Sequence, residues 1–296
     1  MNSPTPHHLT FRQRLTLRGW QTAVAAMTAV ARRRAPDPPA SVTEHKYGDH
    51  PDARLDVIAP DPDAEPKTAV VFIHGGGWVI GKKEMYAQPL YELAAAGHPV
   101  FNVEYPLAPD NPHPEILNSL LEALTWIKTS YPETESVHLI GDSAGGNLAM
   151  MLGIILTNPA TAADLGFASW TETPKPASIS SLYGVLDRLL WLDAGFPSAE
   201  LFLQAYAGPE AFGVEVEASC AVTPMDLDFE SLPPTFIAAA GKDKLASSSL
   251  LAYETFGSDH DVEYKLYEGA AHGFYTQGKQ MKVLQADVAD FIGRNS

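Results

Sequence analysis

The sequence predicts an α/β protein in which a mainly parallel sheet is covered by helices on both faces. From about residue 53 onward, short apolar runs alternate with longer amphipathic ones, which is the pattern of strands and helices in turn. Hydrophobic residues make up 45% of the 296-residue chain and charged residues 19%, a composition typical of a folded chain with a sizeable core. We therefore expect one domain over residues 1–296.

The N-terminal segment predicts a helix that packs on the body of the protein. Thr10 and Gln13 have the spacing of a capping box. The apolar residues expected on one face are Phe11, Leu15, Trp20, Val24 and Met27. A helix lying on a membrane surface is the alternative.

Residues 19–35 contain the longest candidate for a targeting segment. Its apolar part is too short to span a bilayer, and it ends in three arginines, a poor match to a cleaved signal. We therefore expect a cytoplasmic protein with no stable membrane insertion.

The alternation after this segment predicts six strands and five helices. Segments that precede the first of these six strands, such as ARLDVIAP at 53–60, predict antiparallel strands at one edge of the sheet. Gly97 and Gly257 follow two of the helices, where a left-handed residue is favoured. The predicted strands are 69–76, 98–105, 137–142, 177–184, 234–241 and 261–269, and the predicted helices are 84–96, 115–130, 144–157, 246–256 and 279–293.

Residues 185–222 interrupt the alternation with a stretch too long for an ordinary connection and rich in Leu, Phe, Trp and Tyr. An extra helical pair that thickens the core is one interpretation. A cap over the carboxyl ends of the strands, where open α/β sheets bind ligands, is the favoured one. We expect the cap to be built from about 1–45 together with 185–222.

The net charge of −16 excludes one class of partner. Binding to nucleic acid needs a basic patch for the phosphates, so we expect no such partner and leave small molecules and proteins open. Cys220 is the sole cysteine, so no intramolecular disulfide can form.

A short stretch at 141–145 points to chemistry. Gly141-Asp142-Ser143-Ala144-Gly145 follows a predicted strand and opens a predicted helix. The pattern G-x-S-x-G in that position is typical of a sharp turn that presents a serine oxygen above a sheet. Ser143 is therefore the candidate nucleophile.

A serine hydroxyl needs a base to take its proton, and the base needs a third group to orient it. His272 follows the last predicted strand and Asp243 follows the strand before it, so both fall on loops at the carboxyl edge. The order Ser143, Asp243, His272 is that of α/β-hydrolases.

Other residues compete for two of these roles. An ordinary turn aspartate is the alternative interpretation of Asp243, and weaker candidates for the acid are Asp226, Asp228 and Asp259. The histidines that lie in or beside strands are interpreted as structural or solvated; they are His98, His138 and His260.

A glycine-rich stretch, FIHGGGW at 72–78, follows the first buried strand. Three glycines let backbone N–H groups approach an oxyanion closely. An ordinary turn is the alternative, and a phosphate loop is disfavoured because no Lys-Ser/Thr pair follows the glycines.

These motifs together resemble the hormone-sensitive lipase family, the bacterial family IV carboxylesterases of the α/β-hydrolase superfamily. The matching segments are HGGGW at 74–78, GDSAGGN at 141–147, LPPTFIAAAGKDKL at 232–245 and HGF at 272–274. The resemblance implies an eight-stranded sheet, with Ser143 as nucleophile, Asp243 as acid and His272 as base. It also implies an oxyanion hole formed by Gly76, Gly77 and Ala144, with Gly75 shaping the loop.

The sequence departs from the family pattern in two places. Pro106 and Asp110 replace the charged donor and the glutamate of the Y-R-L-A-P-E stretch, which puts any ion pair there in doubt. Lys244 stands where the family usually has proline after the acid.

The expected activity is hydrolysis of short- to medium-chain acyl esters through an acyl-serine, without a metal or other cofactor. An arylformamidase-like amide hydrolase is the runner-up, and a non-catalytic ligand receptor on the same fold is disfavoured because His272 is present. The candidate substrate contacts are Trp78, Trp191, Phe202 and Tyr206, with Leu189 beside them. The final strand could also pair edge to edge in a homodimer.

Overall fold

Eight strands form one sheet in the computed structural model, which describes residues 9–65, 67–167, 170 and 172–296. The strands are β1 (Val42–Lys46), β2 (Arg54–Ile58), β3 (Ala69–Ile73), β4 (Val100–Glu104), β5 (Ser136–Asp142), β6 (Lys175–Leu182), β7 (Thr235–Ala240) and β8 (Val262–Tyr267). Their order across the sheet is β1-β2-β4-β3-β5-β6-β7-β8. Only the pairs β1–β2 and β2–β4 are antiparallel among these strands, as the sequence predicts for one edge.

Helices cover both faces of this sheet. They are α1 (Phe11–Arg34), α2 (Ala87–Ala95), α3 (Glu115–Ser130), α4 (Ala144–Thr157), α5 (Pro159–Asp164), α6 (Arg188–Asp193), α7 (Ala199–Ala207), α8 (Ala246–Phe256) and α9 (Met281–Arg294). One apolar cluster joins α3, α4 and α8 to one face, and a second joins α2 and α9 to the other. The predicted fold class is confirmed.

The chain reverses its winding direction between β3 and β5. From β3 it runs to β4 on one side, and it then returns to β5 on the other side of β3. Ligands of open α/β sheets bind at such a point, beyond the carboxyl ends of the strands. The loop after β3 and the start of α4 therefore become neighbours.

Helix α4 is buried on every side because it lies between the sheet and neighbouring helices. All of its residues from Ala144 to Ile155 are buried, and its sequence AGGNLAMMLGII is apolar on every side apart from Asn147, as expected for such a position. This burial fixes the position of the helix N-terminus, directly after Ser143.

The described part of α1 packs on the body, but with a different face from the one predicted. The capping box of Thr10 and Gln13 is present. The inward side consists of Gln13, Leu17, Trp20, Val24 and Thr28. The predicted inward residues Phe11, Leu15 and Met27 are exposed instead. Apolar residues occur on both sides of this helix, so the pattern alone does not identify the buried side.

The predicted helix bounds for α3, α4 and α8 agree with the structure. Most strands end one to three residues earlier than predicted, whereas β5 and β6 begin one and two residues before their predicted starts. The helix predicted from 84 begins with a 3₁₀ turn at Lys83–Tyr86. Gly97 has the predicted left-handed conformation, with φ +99°. Gly257 does not: its φ is −69°, because the helical conformation continues into it and its N–H bonds Tyr253.

Candidate active site

Ser143 lies at a strained turn between β5 and α4. Its φ of 53° and ψ of −121° fall outside the regions that side-chain-bearing residues prefer. The backbone N–H of Ser143 donates to the carbonyl of Leu182, and its own carbonyl accepts from the N–H of Asn147. These bonds hold the turn in place and support the strained conformation.

The flanking glycines are required by backbone contacts. A Cβ on Gly141 would lie 2.2 Å from the carbonyl oxygen of Gly145. A Cβ on Gly145 would lie 2.0 Å from the carbonyl oxygen of Ile73. Both distances are well inside van der Waals contact, so the turn excludes any side chain at either position.

His272 and Asp243 meet Ser143 in a hydrogen-bonded chain. Nε2 of His272 lies 2.9 Å from Oγ of Ser143, and Nδ1 lies 2.6 Å from Oδ2 of Asp243. The Asp243 side chain is 2% exposed, whereas that of His272 is 29% exposed. The arrangement places a base on the serine and a buried carboxylate on the base.

Asp243 also has the turn role that the sequence left open. Its Oδ1 accepts the backbone N–H of Leu245, while Oδ2 faces His272. One carboxylate thus fixes its own loop and contacts the imidazole, so the two interpretations of Asp243 are compatible.

The competing candidates lie in other environments. Asp226 pairs with Arg188, Asp259 accepts from the hydroxyl of Ser258, and the carbonyl of Asp228 accepts from the hydroxyl of Thr161. His98 contacts the carbonyl of Thr68, His138 contacts Ser178 and Ser296, and His260 stacks on Phe229.

The glycine loop after β3 faces Ser143. Gly76 and Gly77 line the same cavity as the serine, with φ values of +122° and +57°. A Cβ on Gly76 would lie 2.0 Å from the carbonyl oxygen of Ile80. In the described part of the chain, no acceptor takes the backbone N–H of Gly76, Gly77 or Ala144. These three donors are free for a substrate oxygen.

Asp142 ties this loop to the serine turn. Its Oδ1 accepts the N–H of Gly75 at 2.7 Å, and its Oδ2 accepts from the hydroxyl of Tyr183 at 3.3 Å. Burial raises the pKa of the Asp142 carboxyl, against the hydrogen bonds from Tyr86 and Gly75, which lower it. The N–H of Gly75 is therefore occupied, which leaves that residue the loop-shaping role predicted for it.

A second set of contacts holds the loop from behind. The ring of His74 stacks on Tyr105 at 4.3 Å, and the hydroxyl of Tyr105 donates to the carbonyl of His74 at 2.7 Å. Lys82 pairs with the buried Glu104 at 2.6 Å. Pro106 stands where the family has a charged donor. The preceding residue, Tyr105, anchors the loop through its hydroxyl instead.

A cavity of about 220 Å³ lies over the serine. Its aromatic walls are Trp191 from α6, Phe202 from α7 and Phe196 from the loop between those helices. The ring of Phe196 also contacts His272, with 5.2 Å between ring centroids. The 185–222 segment therefore reaches the carboxyl edge of the sheet at Ser143.

Two predicted substrate contacts do not line this cavity. Trp78 and Tyr206 are fully buried and stack on each other with 4.5 Å between their rings, behind Trp191. Leu189 is also absent from the wall. The prediction is wrong for these residues because aromatic content marks burial without distinguishing a cavity wall from the core. The sequence did not predict Phe196 as a cavity wall. A single aromatic residue in a loop, between Gly195 and Pro197, has no periodicity that shows where its side chain points.

Arg188 anchors the segment that carries these walls. Its buried guanidinium pairs with Asp226 at 2.9 Å and donates to the carbonyls of Ala211 and Gly213. Asn147, in α4, donates to the carbonyls of Val185 and Val222 at the two ends of the same segment. These bonds position the segment relative to the serine turn.

The described residues contain neither a membrane-spanning helix nor a cluster of metal-ligating side chains. No helix among them is both long and apolar enough to cross a bilayer. Nor does this part of the chain bring together three His, Cys, Asp or Glu side chains that could hold a metal ion.

Comparisons with known proteins agree with this geometry. A family model described as the alpha/beta hydrolase fold matches residues 70–276. The chain is similar to Esterase LipC of Mycobacterium tuberculosis, with 25% identity over 241 residues, which cover 77% of this chain and 58% of LipC. It is also similar to the hormone-sensitive lipase of Mus musculus, with 30% identity over 164 residues, which cover 52% of this chain and 21% of the lipase. An esterase structure from Pyrobaculum calidifontis has a TM-score of 0.75 at 22% identity, covering 96% of this chain and 95% of the other.

Proposed function

The chain belongs to the α/β-hydrolase fold family, and on that premise we propose that it hydrolyses carboxylic esters through an acyl-serine intermediate. The observation that carries the proposal is the hydrogen-bonded chain from Ser143 through His272 to Asp243. The esterase and lipase names of its relatives support the same activity.

The first half of the reaction forms the acyl-serine. His272 takes the proton of Ser143 through Nε2 while the serine oxygen attacks the ester carbon. Asp243 keeps the proton on Nδ1 and stabilises the imidazolium that results. The N–H groups of Gly76, Gly77 and Ala144 donate to the oxyanion, where a single such donor is worth about 10²–10³-fold in kcat.

Breakdown of the first tetrahedral intermediate completes the acyl-serine, and the second half of the reaction then releases the carboxylic acid. The imidazolium gives its proton to the leaving alcohol, and the tetrahedral intermediate collapses to acyl-serine. The neutral His272 then removes a proton from water, which attacks the acyl carbon. Collapse of the second intermediate returns the proton to Ser143, so the residues end in their starting states.

We also propose that α1, α6 and α7 act as a cap over this site. Trp191 and Phe202 reach the cavity from α6 and α7, and Trp20 of α1 packs edge-on against Phe202 at 5.1 Å. The three helices are therefore in contact with each other or with the cavity wall. Such a lid excludes water and strengthens the electrostatic interactions of the oxyanion.

The substrate class follows from the cavity. At about 220 Å³ it is smaller than the roughly 300–1,000 Å³ of sites for drug-sized ligands. Its walls are the aromatic rings of the 185–222 segment, the aliphatic Ile80 and the two glycines of the loop, apart from the catalytic side chains and Asp142. We therefore propose uncharged esters with short to medium acyl chains.

Hydrolysis of p-nitrophenyl esters from acetate to palmitate tests the proposal, with an aryl formamide as comparison and Ser143→Ala as control. Rapid turnover of short esters that is lost in the variant supports it. Turnover of the formamide alone would identify an amide hydrolase instead. Absence of any turnover would contradict the proposal.

Two further properties stay proposals. A homodimer could form through β8, which lies at one edge of the sheet. Size-exclusion chromatography with light scattering that shows only monomer would reject it.

We also propose a cytoplasmic location on the basis of the poor signal match of residues 19–35, and cell fractionation tests it.

A further inference from the structure

Helix α1 exposes apolar and basic side chains on the side away from the body. At about 100° per residue, Phe11, Leu15, Ala26 and Val30 lie within roughly 100° of one another, and Arg12 and Arg18 lie beside them. We call these six residues the outer face of α1. Phe11 is 81% exposed, Leu15 59% and Val30 45%. The outer face lies opposite the buried side formed by residues such as Leu17 and Val24.

The charge of α1 is opposite to that of the chain as a whole. Six arginines and no acidic residue occur between Phe11 and Arg34, in a protein with a net charge of −16. The first acidic residue of the sequence is Asp37. One helix of 24 residues therefore holds six of the chain's 20 basic residues, three in its first eight residues and three at its C-terminal end.

Two of these arginines, Arg12 and Arg18, are exposed and have no ion-pair partner among the described residues. Single exposed apolar residues are ordinary on protein surfaces, but Phe11 and Leu15 are one turn apart and flanked by unpaired arginines. Neither feature stabilises the fold, since the inward side of the helix already supplies its packing.

We propose that the outer face of α1 docks on an anionic lipid surface. A helix lying in a membrane interface buries apolar side chains at the acyl boundary and places arginines among phosphate headgroups. The outer face offers both kinds of side chain. The exposed Phe11 and Leu15 beside the exposed Arg12 and Arg18 fit the interface of an anionic bilayer, which offers an apolar layer next to phosphate groups.

Docking through this face brings the candidate active site near the surface. On its inward side α1 contacts the cavity wall, because Trp20 packs on Phe202. Gln13 also donates to Gln204 of α7 at 2.8 Å. An ester that leaves the lipid would therefore meet the cap before other parts of the protein.

Vesicle sedimentation tests the proposal with the full chain. One set of vesicles contains phosphatidylcholine alone, and the other contains phosphatidylcholine with 30% phosphatidylglycerol. We expect sedimentation with the anionic vesicles, little with the neutral ones, and weakening in about 0.5 M salt because the Debye length falls to a few ångströms.

Two double variants probe the outer face. Arg12→Glu with Arg18→Glu should lower affinity for the anionic vesicles by about 30-fold or more. Phe11→Asp with Leu15→Asp should lower it as well; the new aspartate at Phe11 lies in the first turn of α1, where a negative charge favours the helix. Lys67→Glu with Lys175→Glu changes the net charge by the same −4 as the double arginine variant, at two exposed lysines outside α1, and should leave binding unchanged.

The controls separate this proposal from the one on catalysis. Hydrolysis of a water-soluble p-nitrophenyl ester should be unchanged in all three double variants, which also shows that they are folded. Absence of sedimentation with anionic vesicles, or equal sedimentation of every variant, would overturn the proposal. So would light scattering that shows a dimer dissociated by Arg12→Glu with Arg18→Glu, because the face would then cover a second copy.

Discussion

Nε2 of His272 lies 2.9 Å from Oγ of Ser143 although 129 residues separate them in the chain. Ser143 follows β5, whereas His272 follows β8, and β6 and β7 lie between those strands in the sheet. The loop after β8 therefore reaches back across two strands. The ring of Tyr183 packs edge-on against His272 at 5.0 Å and helps to hold it there.

Replacing Asp243 should impair catalysis without unfolding the protein. In Asp243→Asn the amide no longer stabilises the imidazolium and favours the wrong tautomer, so kcat should fall by about 10³–10⁴-fold. Steady-state kinetics with p-nitrophenyl acetate measure this. The melting temperature should change little, because an amide oxygen can still accept the N–H of Leu245.

Asp226→Asn is the matched control and should show the opposite pattern. Its carboxylate pairs with Arg188, whose side chain is 1% exposed, so the change leaves a buried guanidinium without its counter-charge. We expect a loss of about 3–5 kcal/mol in the free energy of unfolding, measured in urea, with kcat of the folded fraction nearly unchanged. If Asp226→Asn lowered kcat as much as Asp243→Asn, the assignment of the acid would be wrong.

Gly76→Ala should disable the oxyanion loop. The new Cβ would meet the carbonyl of Ile80, and the φ of +122° is unfavourable for alanine, so the loop must shift. Kcat should fall by about 10²–10³-fold, the effect of losing one donor to the oxyanion.

Gly166→Ala controls for backbone strain alone. Gly166 also has a positive φ, +85°, but a Cβ there meets nothing within 4 Å. This variant should lose about 1 kcal/mol of stability and keep its kcat. Equal losses of activity in the two variants would show that strain rather than loop position is responsible.

Phe196→Ala should shift the preference toward longer acyl chains, because it removes an aromatic wall of the cavity. A hydrophobic pocket discriminates between substrates by about 1–3 kcal/mol for each methylene group by which they differ. The ratio of kcat/KM for the octanoate ester to that for the acetate ester should therefore rise about 10-fold or more. Phe229→Ala removes a half-buried ring that packs on Phe256, away from the cavity, and should leave the ratio unchanged. A ratio that is the same in both variants would contradict this role of Phe196.

His138 should make the protein less stable as the pH falls below about 6.5. Burial, followed by the nearby His98, lowers the pKa of His138 from 6.5 to about 3. Its neutral form is therefore favoured in the folded state, and the unfolded chain binds the proton first. The stabilisation is present above pH 6.5 and is lost as the pH falls toward 3, by about 2 kcal/mol between pH 7 and pH 5.

Urea unfolding at several pH values measures this dependence. In His138→Gln most of the slope between pH 7 and pH 5 should disappear. His45→Gln, on the edge strand β1, should retain it. A slope that survives in His138→Gln would assign the effect to other groups.

The sequence predicted the three residues of the hydrogen-bonded chain because each follows a strand. Carboxyl ends of parallel strands meet at one edge, so residues far apart in sequence become neighbours there. Strand and helix periodicity likewise predicted the sheet and the helices on both faces. Helix α4 was the clearest case, since its sequence, apolar apart from Asn147 between Ala144 and Ile155, matches complete burial.

The errors concern residues whose partners are set by tertiary packing. The buried side of α1 includes Gln13 and Thr28, while Phe11 faces outward, so hydrophobicity did not select the inner face. Trp78 and Tyr206 stack in the core because their rings pair with each other. Phe196 reaches the cavity from a loop, where side-chain direction has no sequence period.

The central claim is that Ser143 forms a covalent acyl intermediate, and mass spectrometry of the protein mixed with p-nitrophenyl acetate tests it most directly. In a rapidly quenched sample we expect an acetyl group on the peptide that contains Ser143, together with a burst of p-nitrophenol. Ser143→Ala should show neither. Turnover of the ester without any acetylated Ser143, or an undiminished burst in Ser143→Ala, would contradict the account.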